Sequence, residues 1–234
     1  MSFIGKWAGL LGLLAVLVIG DQIRINRPGH KFRLTVEMTT PNGIKSASGV
    51  LAVVPDRGYS RGGHTTTRGE AVFLDLGHGK NLVALLAHQQ GGKLDLDDIN
   101  YVALRAYGTA RGNRVSFNQI NQQTGIVPVQ GDQIPLLVSF GDPREPATAR
   151  LVAPDHAEAV LGDGYALHGV TAEVVPNGLW PVDFGGPLGE PVSRGIGAKL
   201  PWLAAPNDPA ATALKAAGLP VTGAIEARDA FARK

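Results

Sequence analysis

The residues that could do chemistry are scattered, and each group can be judged by the spacing its chemistry needs. Gly58-Tyr59-Ser60-Arg61-Gly62 has the text of a nucleophile elbow, with His64 close by as a candidate base. That chemistry needs a strand entering the turn and a helix leaving it in an alternating α/β chain. Here the match falls in a Gly-, Arg- and Thr-rich stretch from Pro55 to Gly69 that reads as a loop, so a serine hydrolase using Ser60, His64 and a nearby carboxylate is a remote alternative. Asp95, Asp97 and Asp98 offer carboxylate oxygens, but the glycine and bidentate glutamate of a calcium loop are missing at their spacing, and a solvated turn is the simpler reading. His30, His64, His78, His88, His156 and His168 stand singly, without the short helical spacing that converges two imidazoles on a metal, and are expected at the surface. His78 and His88 flank one arm of a predicted hairpin.

Other motifs weaken in the same way. Gly77-His78-Gly79-Lys80 lacks the upstream glycine and the following Ser or Thr of a phosphate loop and reads as a turn. Leu219-Pro220-Val221-Thr222-Gly223 spells a wall-sorting signal, yet only a mixed, charged segment follows it. Arg57, Arg61 and Arg68 in one loop read as solubilising residues. No catalytic, cofactor-binding or metal-ligating residue is assigned, no cofactor is implied, and the chain is read as not an enzyme.

The elements that would carry any site are mostly strands. Phe32, Leu34, Val36 and Met38 alternate with Arg33, Thr35, Glu37 and Thr39, the period of a half-buried strand. Pro41-Asn42-Gly43 then reverses the chain into Ile44 to Val54. A second hairpin runs from Glu70 to Leu76, through the turn at 77–80, and back along Asn81 to Ala87. Tyr101 to Tyr107 fits a helix turn or a strand equally, and Ile134 to Phe140 reads as a central strand. Asp155 and Glu158 form a capping-box pattern for one short helix that Gly162 can end in a left-handed residue, and Tyr165 to Val175 returns to strand. Ser193 to Leu203 closes the domain, with Trp202 docked on the core. Beyond it, Asp208 is a cap, Pro209 a first helical residue and Gly218 a stop. The expected fold is mainly β (α+β): an antiparallel β-sandwich, or a sheet with one or two short helices, preceded by an N-terminal apolar helix.

That apolar helix is the clearest functional signal. Lys6 precedes an unbroken apolar run of about 14 residues from Trp7 to Gly20. Its length and the small residues near its end suit a secretory signal better than a span of roughly 20 residues. Continuation through Asp21, Gln22 and Ile23 gives a retained anchor instead. Arg24, Arg27, Lys31 and Arg33 follow the run, although long domains translocate largely regardless of such charges. The expected membrane residues are Trp7, Leu10, Leu11, Leu13, Leu14, Val16, Leu17, Val18 and Ile19. The expected organisation is therefore 1–24 signal peptide or membrane anchor, 30–203 β-rich globular domain, and 204–234 Ala/Pro-rich peripheral tail.

Composition narrows the function classes further. With 22 basic and 20 acidic residues the formal charge is only +2, which gives no electrostatic footprint for nucleic acid. The chain has no cysteine, which removes disulfides, thiolate chemistry and lipidation at cysteine.

Arg33-Leu34-Thr35-Val36-Glu37, Thr40-Pro41-Asn42-Gly43, Gly69-Glu70-Ala71-Val72, Asp75-Leu76-Gly77, Ala84-Leu85-Leu86, Ser193-Arg194-Gly195-Ile196 and Leu200-Pro201-Trp202-Leu203 come in a telling order. As an ordered set over Lys31 to Leu203 they resemble an uncharacterised group of small exported or membrane-anchored alphaproteobacterial proteins. The resemblance implies an export leader and domain boundaries and brings no activity. Some members have a lipoprotein cysteine after the leader, which this chain lacks. The reading is a non-enzymatic envelope protein, a β-rich binding or assembly module exported to the periplasm, or inner-membrane anchored with its domain there. The alternative is a retained single-span accessory subunit of a membrane complex, its helix packed through Gly5, Gly9 and Gly12. Expected partners are the membrane through the N-terminal helix if uncleaved, and a protein. No nucleic acid and no small-molecule substrate is evident.

Overall fold

The computed structural model describes residues 3–56, 64–178, 189–205, 209–221 and 223–233, with the side chains of 3–10, 22 and 24–26 outside the description. Helix α1 (Phe3–Asn26) leads into strands β1 (His30–Thr40), β2 (Gly43–Val54), β3 (Thr66–Glu70), β4 (Val72–Gly77), β5 (Lys80–Ala84), β6 (His88–Gln90) and β7 (Lys93–Asp95). Helix α2 (Val102–Arg111) follows, then β8 (Ile126–Pro128), β9 (Leu137–Phe140), β10 (Ala149–Val152), α3 (Glu158–Leu161) and β11 (Ala166–Val175). The chain closes with α4 (Ile196–Lys199), α5 (Pro209–Ala216), α6 (Ala224–Asp229) and β12 (Ala232–Arg233).

All strand pairs are antiparallel. One sheet has the order β12-β3-β2-β1-β11-β8, a second β10-β9-β5-β4, and β6-β7 stands alone as a hairpin. The period of two in β1 acts as expected: Phe32, Leu34, Val36 and Met38 are buried, while Arg33, Thr35, Glu37 and Thr39 face the outer side. Their partners Leu51, Leu74, Leu76 and Leu82 complete the core between the two sheets, closed at one end by Ile99, Val102, Ala103, Ala106 and Tyr107. The other face of the second sheet, with Val83, Val138, Phe140 and Ala149, packs on Trp202, Leu214, Ala227 and Phe231. The architecture is thus sheet on sheet on short helices, a mainly β antiparallel fold.

Chain crossing between the sheets needs one glycine. At Gly69, φ is +137° and a Cβ would lie 2.6 Å from Leu51 Cδ2, so a side chain fits neither the dihedral nor the space. Three residues later the chain has left the first sheet and begins the second as β4.

Several expectations take a definite form. The segment Tyr101 to Tyr107, open from the sequence, is helical, because its apolar residues meet the end of the core at helical spacing. The Asp155 capping pattern is not made: α3 has no side-chain cap bond, and Gly162, with φ +91° and ψ 173°, lies outside the left-handed helical region. Residues of the segment expected as a peripheral tail are built in. Ala210, Ala213, Leu214, Ala217, Leu219, Ala227, Ala230 and Phe231 are buried, Ala71 N–H donates to Phe231 O at 2.8 Å and Leu86 N–H to Ala230 O at 2.7 Å. Asp208 and Thr222 fall outside the described residues.

Around α1, Leu11, Leu13, Leu14, Val16, Leu17, Val18 and Ile19 are exposed. Among the described residues no helix is long and apolar enough to cross a membrane, so the transmembrane helix expected from the sequence is not found there.

Tyr107 couples α2 to the sheet. Its hydroxyl donates to Gly125 O and accepts the Val174 N–H at 3.1 Å. Tyr107→Phe strands both backbone groups in a buried site, and a loss of about 1–3 kcal/mol in urea unfolding is expected. A loss below about 0.5 kcal/mol would show that water replaces the hydroxyl.

Candidate functional site

Three turns meet at the tip of the β4–β5 hairpin. Gly77 pairs with Lys80 across the two-residue loop His78-Gly79, whose φ values of +53° and +76° are those of a type I′ turn. Asp75 Oδ1 accepts the Gly77 N–H at 2.8 Å, fixing the bulge before the turn. From the second sheet, Gly141 to Arg144 forms the β9–β10 turn, where Asp142 Oδ1 accepts the Arg144 N–H at 2.9 Å. Trp202 Nε1 donates to Pro143 O at 2.9 Å and brings α4 to the same place.

Together these segments line an open depression of about 500 Å³, with Phe73 and Pro201 on its walls and Arg144 and Lys199 among its cations. A second depression of about 720 Å³ lies on the other side of the His78–Lys80 tip and includes Ser139, Thr148 and Arg150. Most polar groups here already have work. Asn81 spans the buried backbone of Phe140, accepting its N–H at 2.9 Å and donating to its O at 2.8 Å. Lys80 donates to Leu161 O and stands 4.3 Å from the Tyr165 ring centre. Lys199 stands 5.9 Å from the Phe73 ring centre. Among the described residues the side chains of Arg144 and His78 make no hydrogen bond or ion pair, and the depression is an open surface of mixed charge, with Asp75 and Asp142 beside Lys80, Arg144 and Lys199. Among the described residues no histidine is hydrogen-bonded to a hydroxyl, the arrangement an activated Ser or Thr needs.

The histidines divide in two. His64, His78, His156 and His168 are exposed, as expected. His30 and His88 are buried, against expectation, because each sits at a core-facing strand position. His30 lies two residues before Phe32 on the same face of β1, with its ring centre 6.1 Å from Phe32 and 5.8 Å from Phe117. Among the described residues neither of its ring nitrogens has a hydrogen-bond partner, and burial pushes its pKa down to about 4. His88 uses Nε2 on Gln133 O at 2.9 Å, and burial again lowers its pKa, the Gln133 contact opposing this.

The acidic turn is self-satisfied. Asp95 Oδ1 accepts the N–H groups of Asp97 and Asp98 at 2.8 and 3.1 Å, and Asp98 takes a two-pronged bond from Arg105 at 2.7 and 2.9 Å. The Arg105 hydrogen bonds hold the Asp98 carboxyl below its ordinary range. Among the described residues no group of three His, Asp or Glu is placed to hold a metal ion.

On the outer face of the first sheet, Arg33 ion-pairs with Glu173 and Glu190, and buried Lys31 donates to Glu190 O at 2.8 Å. The chain at 190–193 therefore crosses this face.

Of the candidates named from the sequence, Ser60, Arg57 and Arg61 lie outside the described residues, as do the side chains of Trp7 and Leu10. The rest of the expected membrane row sits on α1 and is exposed. Arg144 and Lys199 were not singled out from the sequence. They come from turns 55 positions apart, and no local pattern signals their meeting. Searches against family models, curated proteins and solved structures return no match for this chain.

Proposed function

We propose that the chain is a non-enzymatic envelope protein whose β-rich domain is a binding or assembly module, delivered to the periplasm or held at the inner membrane through α1. The observation that carries this reading is the exposure of Leu11, Leu13, Leu14 and Val16 to Ile19, between 49% and 66% for each. Val16, Leu17, Val18 and Ile19 are consecutive, so they cover nearly the whole circumference of a helical turn and no single packing face could bury them. Fully burying each such side chain is worth about 1.5–3 kcal/mol, a strong drive to leave water for hydrocarbon.

The second reading, a retained single-span accessory subunit, is favoured by the unbroken course of α1 from Phe3 to Asn26. At 1.5 Å per residue 24 helical residues rise roughly 36 Å, against a hydrocarbon core of about 30 Å, although the described residues alone do not make a span.

Alkaline phosphatase fused after Arg33 tests export. An active fusion is expected, and Leu14→Arg with Leu17→Arg should abolish it, since each arginine at mid-helix costs about 2.5–3.5 kcal/mol of insertion. An inactive wild-type fusion in an export-competent bacterium overturns the reading. N-terminal sequencing separates the two versions, because a mature start at Asp21 leaves no anchor. Labelling by a serine-directed fluorophosphonate probe would revive the hydrolase alternative.

A further inference from the structure

The chain passes from α1 into the domain with almost no slack. Helix α1 ends at Asn26, Pro28 is already buried, and buried His30 begins β1. From Asn26 to His30 even a fully extended chain spans at most about 14 Å. Gly29 is held there by three hydrogen bonds. Its N–H donates to Val53 O at 2.7 Å, and its O accepts Asn121 Nδ2 at 2.7 Å and Asn177 Nδ2 at 3.1 Å. The part of the domain next to the end of α1 is therefore fixed.

That part is the end of the core closed by α2. The Phe117 ring centre lies 5.8 Å from His30 and 5.8 Å from Tyr101, the residue before α2. From Ile99 to Gly131 the charged side chains are Arg105, Arg111 and Arg114, with no Asp or Glu among them. The acidic turn at 95–98 stands at the rim, where Arg105 pairs with Asp98, and Glu173 beyond α2 pairs with Arg33. Arg111 and Arg114 are exposed and, among the described residues, in no ion pair. Exposed Arg27 in the connector adds a further cation, and Tyr101 is 36% exposed.

With α1 in a bilayer, its apolar run leaves hydrocarbon near Asp21, and the helix from there to Asn26 rises about 9 Å. The headgroup layer is roughly 5–7 Å deep on each side. The domain thus begins at the headgroup surface and has no stalk to lift it away.

We propose that the α2 end of the domain docks through Arg111 and Arg114 on anionic phospholipid headgroups beside α1. The inference deepens the reading of the chain as held at the membrane and rests on it. Guanidinium groups pair with phosphate through two parallel hydrogen bonds, and tyrosine settles at membrane–water interfaces. Each basic residue near an anionic surface strengthens contact about fivefold. The Pro41-Asn42-Gly43 turn, at the other end of β1 and about 33 Å away, then faces away from the bilayer. The β4–β5 tip lies at that far end too, since a Cβ on Gly77 would stand 3.0 Å from Lys45 Nζ.

The chain has no cysteine, so single introduced thiols can carry a fluorophore that reads proximity to lipid. Asn118→Cys, beside Phe117, and Asn42→Cys, at the far turn, are both at exposed positions. The full-length protein is reconstituted in phosphatidylcholine vesicles with or without phosphatidylglycerol as about a quarter of the lipid, with a spin-labelled headgroup as quencher. The Asn118 probe should be quenched strongly with phosphatidylglycerol and at least threefold less without it, and the Asn42 probe in neither. Salt at about 1 M, where charges are screened beyond roughly 3 Å, should remove the difference. Arg111→Gln with Arg114→Gln should lower the ratio of docked to undocked domain about 25-fold and bring quenching to the phosphatidylcholine level.

Equal quenching at Asn118 in the two lipids overturns the proposal, as does none in either, or equal quenching at Asn118 and Asn42. So does unchanged quenching in the double variant. A full-length protein that does not float with vesicles of either kind refutes the anchored reading itself. One that floats without quenching at Asn118 removes this inference and leaves that reading standing.

Discussion

Trp202→Ala is expected to cost about 3–5 kcal/mol of stability, the range for removing a large buried aromatic. The indole is 6% exposed and joins three parts of the molecule. Its ring centre lies 5.8 Å from Phe140 on β9 and 5.2 Å from Phe231, edge-on to the latter at 88°. Its Nε1 donates to the backbone of the β9–β10 turn. Truncation therefore opens a cavity between sheet and helices and leaves Pro143 O without its donor. At this chain length the cost corresponds to a Tm lower by roughly 10 °C, read by calorimetry. Trp202→Phe keeps much of the packing and loses the hydrogen bond, so about 1–2 kcal/mol is expected. A Trp202→Ala loss below about 1 kcal/mol would mean that the helical layer contributes little to cooperativity.

The same residue shows why parts of this fold are legible and others are not. The β1–β2 hairpin is written locally, in a period of two along Phe32 to Met38 and in Pro41-Asn42-Gly43, whose backbone preferences are intrinsic. The β4–β5 hairpin is legible for the same reason, and Trp202 itself could be assigned to the core from its size. Where Trp202 would dock could not, because Phe140 and Phe231 are 62 and 29 positions away. The Ala-rich helices α5 and α6 read as peripheral on composition. Their small side chains instead allow close packing on the second sheet, and only the tertiary arrangement shows which alanines are covered.

Legibility of the candidate sites follows the same rule. The burial of His30 was available from its parity with Phe32 and Leu34, a signal overridden by the ordinary expectation that a lone histidine is exposed. The meeting of Asn121 with Gly29 was not available, because the two are 92 positions apart. The apolar run from Trp7 to Gly20 stands out in the sequence, yet among the described residues it yields no helix long and apolar enough to cross a membrane.

Buried His30 makes stability fall with acidity, and the expected loss is about 3 kcal/mol between pH 7 and pH 4. Its imidazole is fully buried against Phe32 and Phe117, and among the described residues no group hydrogen-bonds to either nitrogen. Burial lowers its pKa from 6.5 to about 4. Between those values the unfolded chain binds a proton that the folded chain refuses, so unfolding takes up a proton and stability rises with pH. The contribution is complete above pH 6.5 and is lost as pH falls towards 4. His88, also shifted downwards by burial, adds in the same direction. Asp98 acts lower: held below its ordinary value of 3.8 by Arg105, it contributes above that pH and loses its contribution beneath it. The discriminating variant is His30→Phe, which keeps an aromatic ring between Phe32 and Phe117 and removes two unpaired polar atoms. It should raise stability at pH 7 by about 1–2 kcal/mol, the cost of burying unsatisfied polar groups. Urea unfolding at intervals from pH 7 to pH 4 should then show a shallower slope than the wild-type protein. An unchanged slope would mean that His30 protonates in the folded state without penalty, which would require a polar partner for its ring.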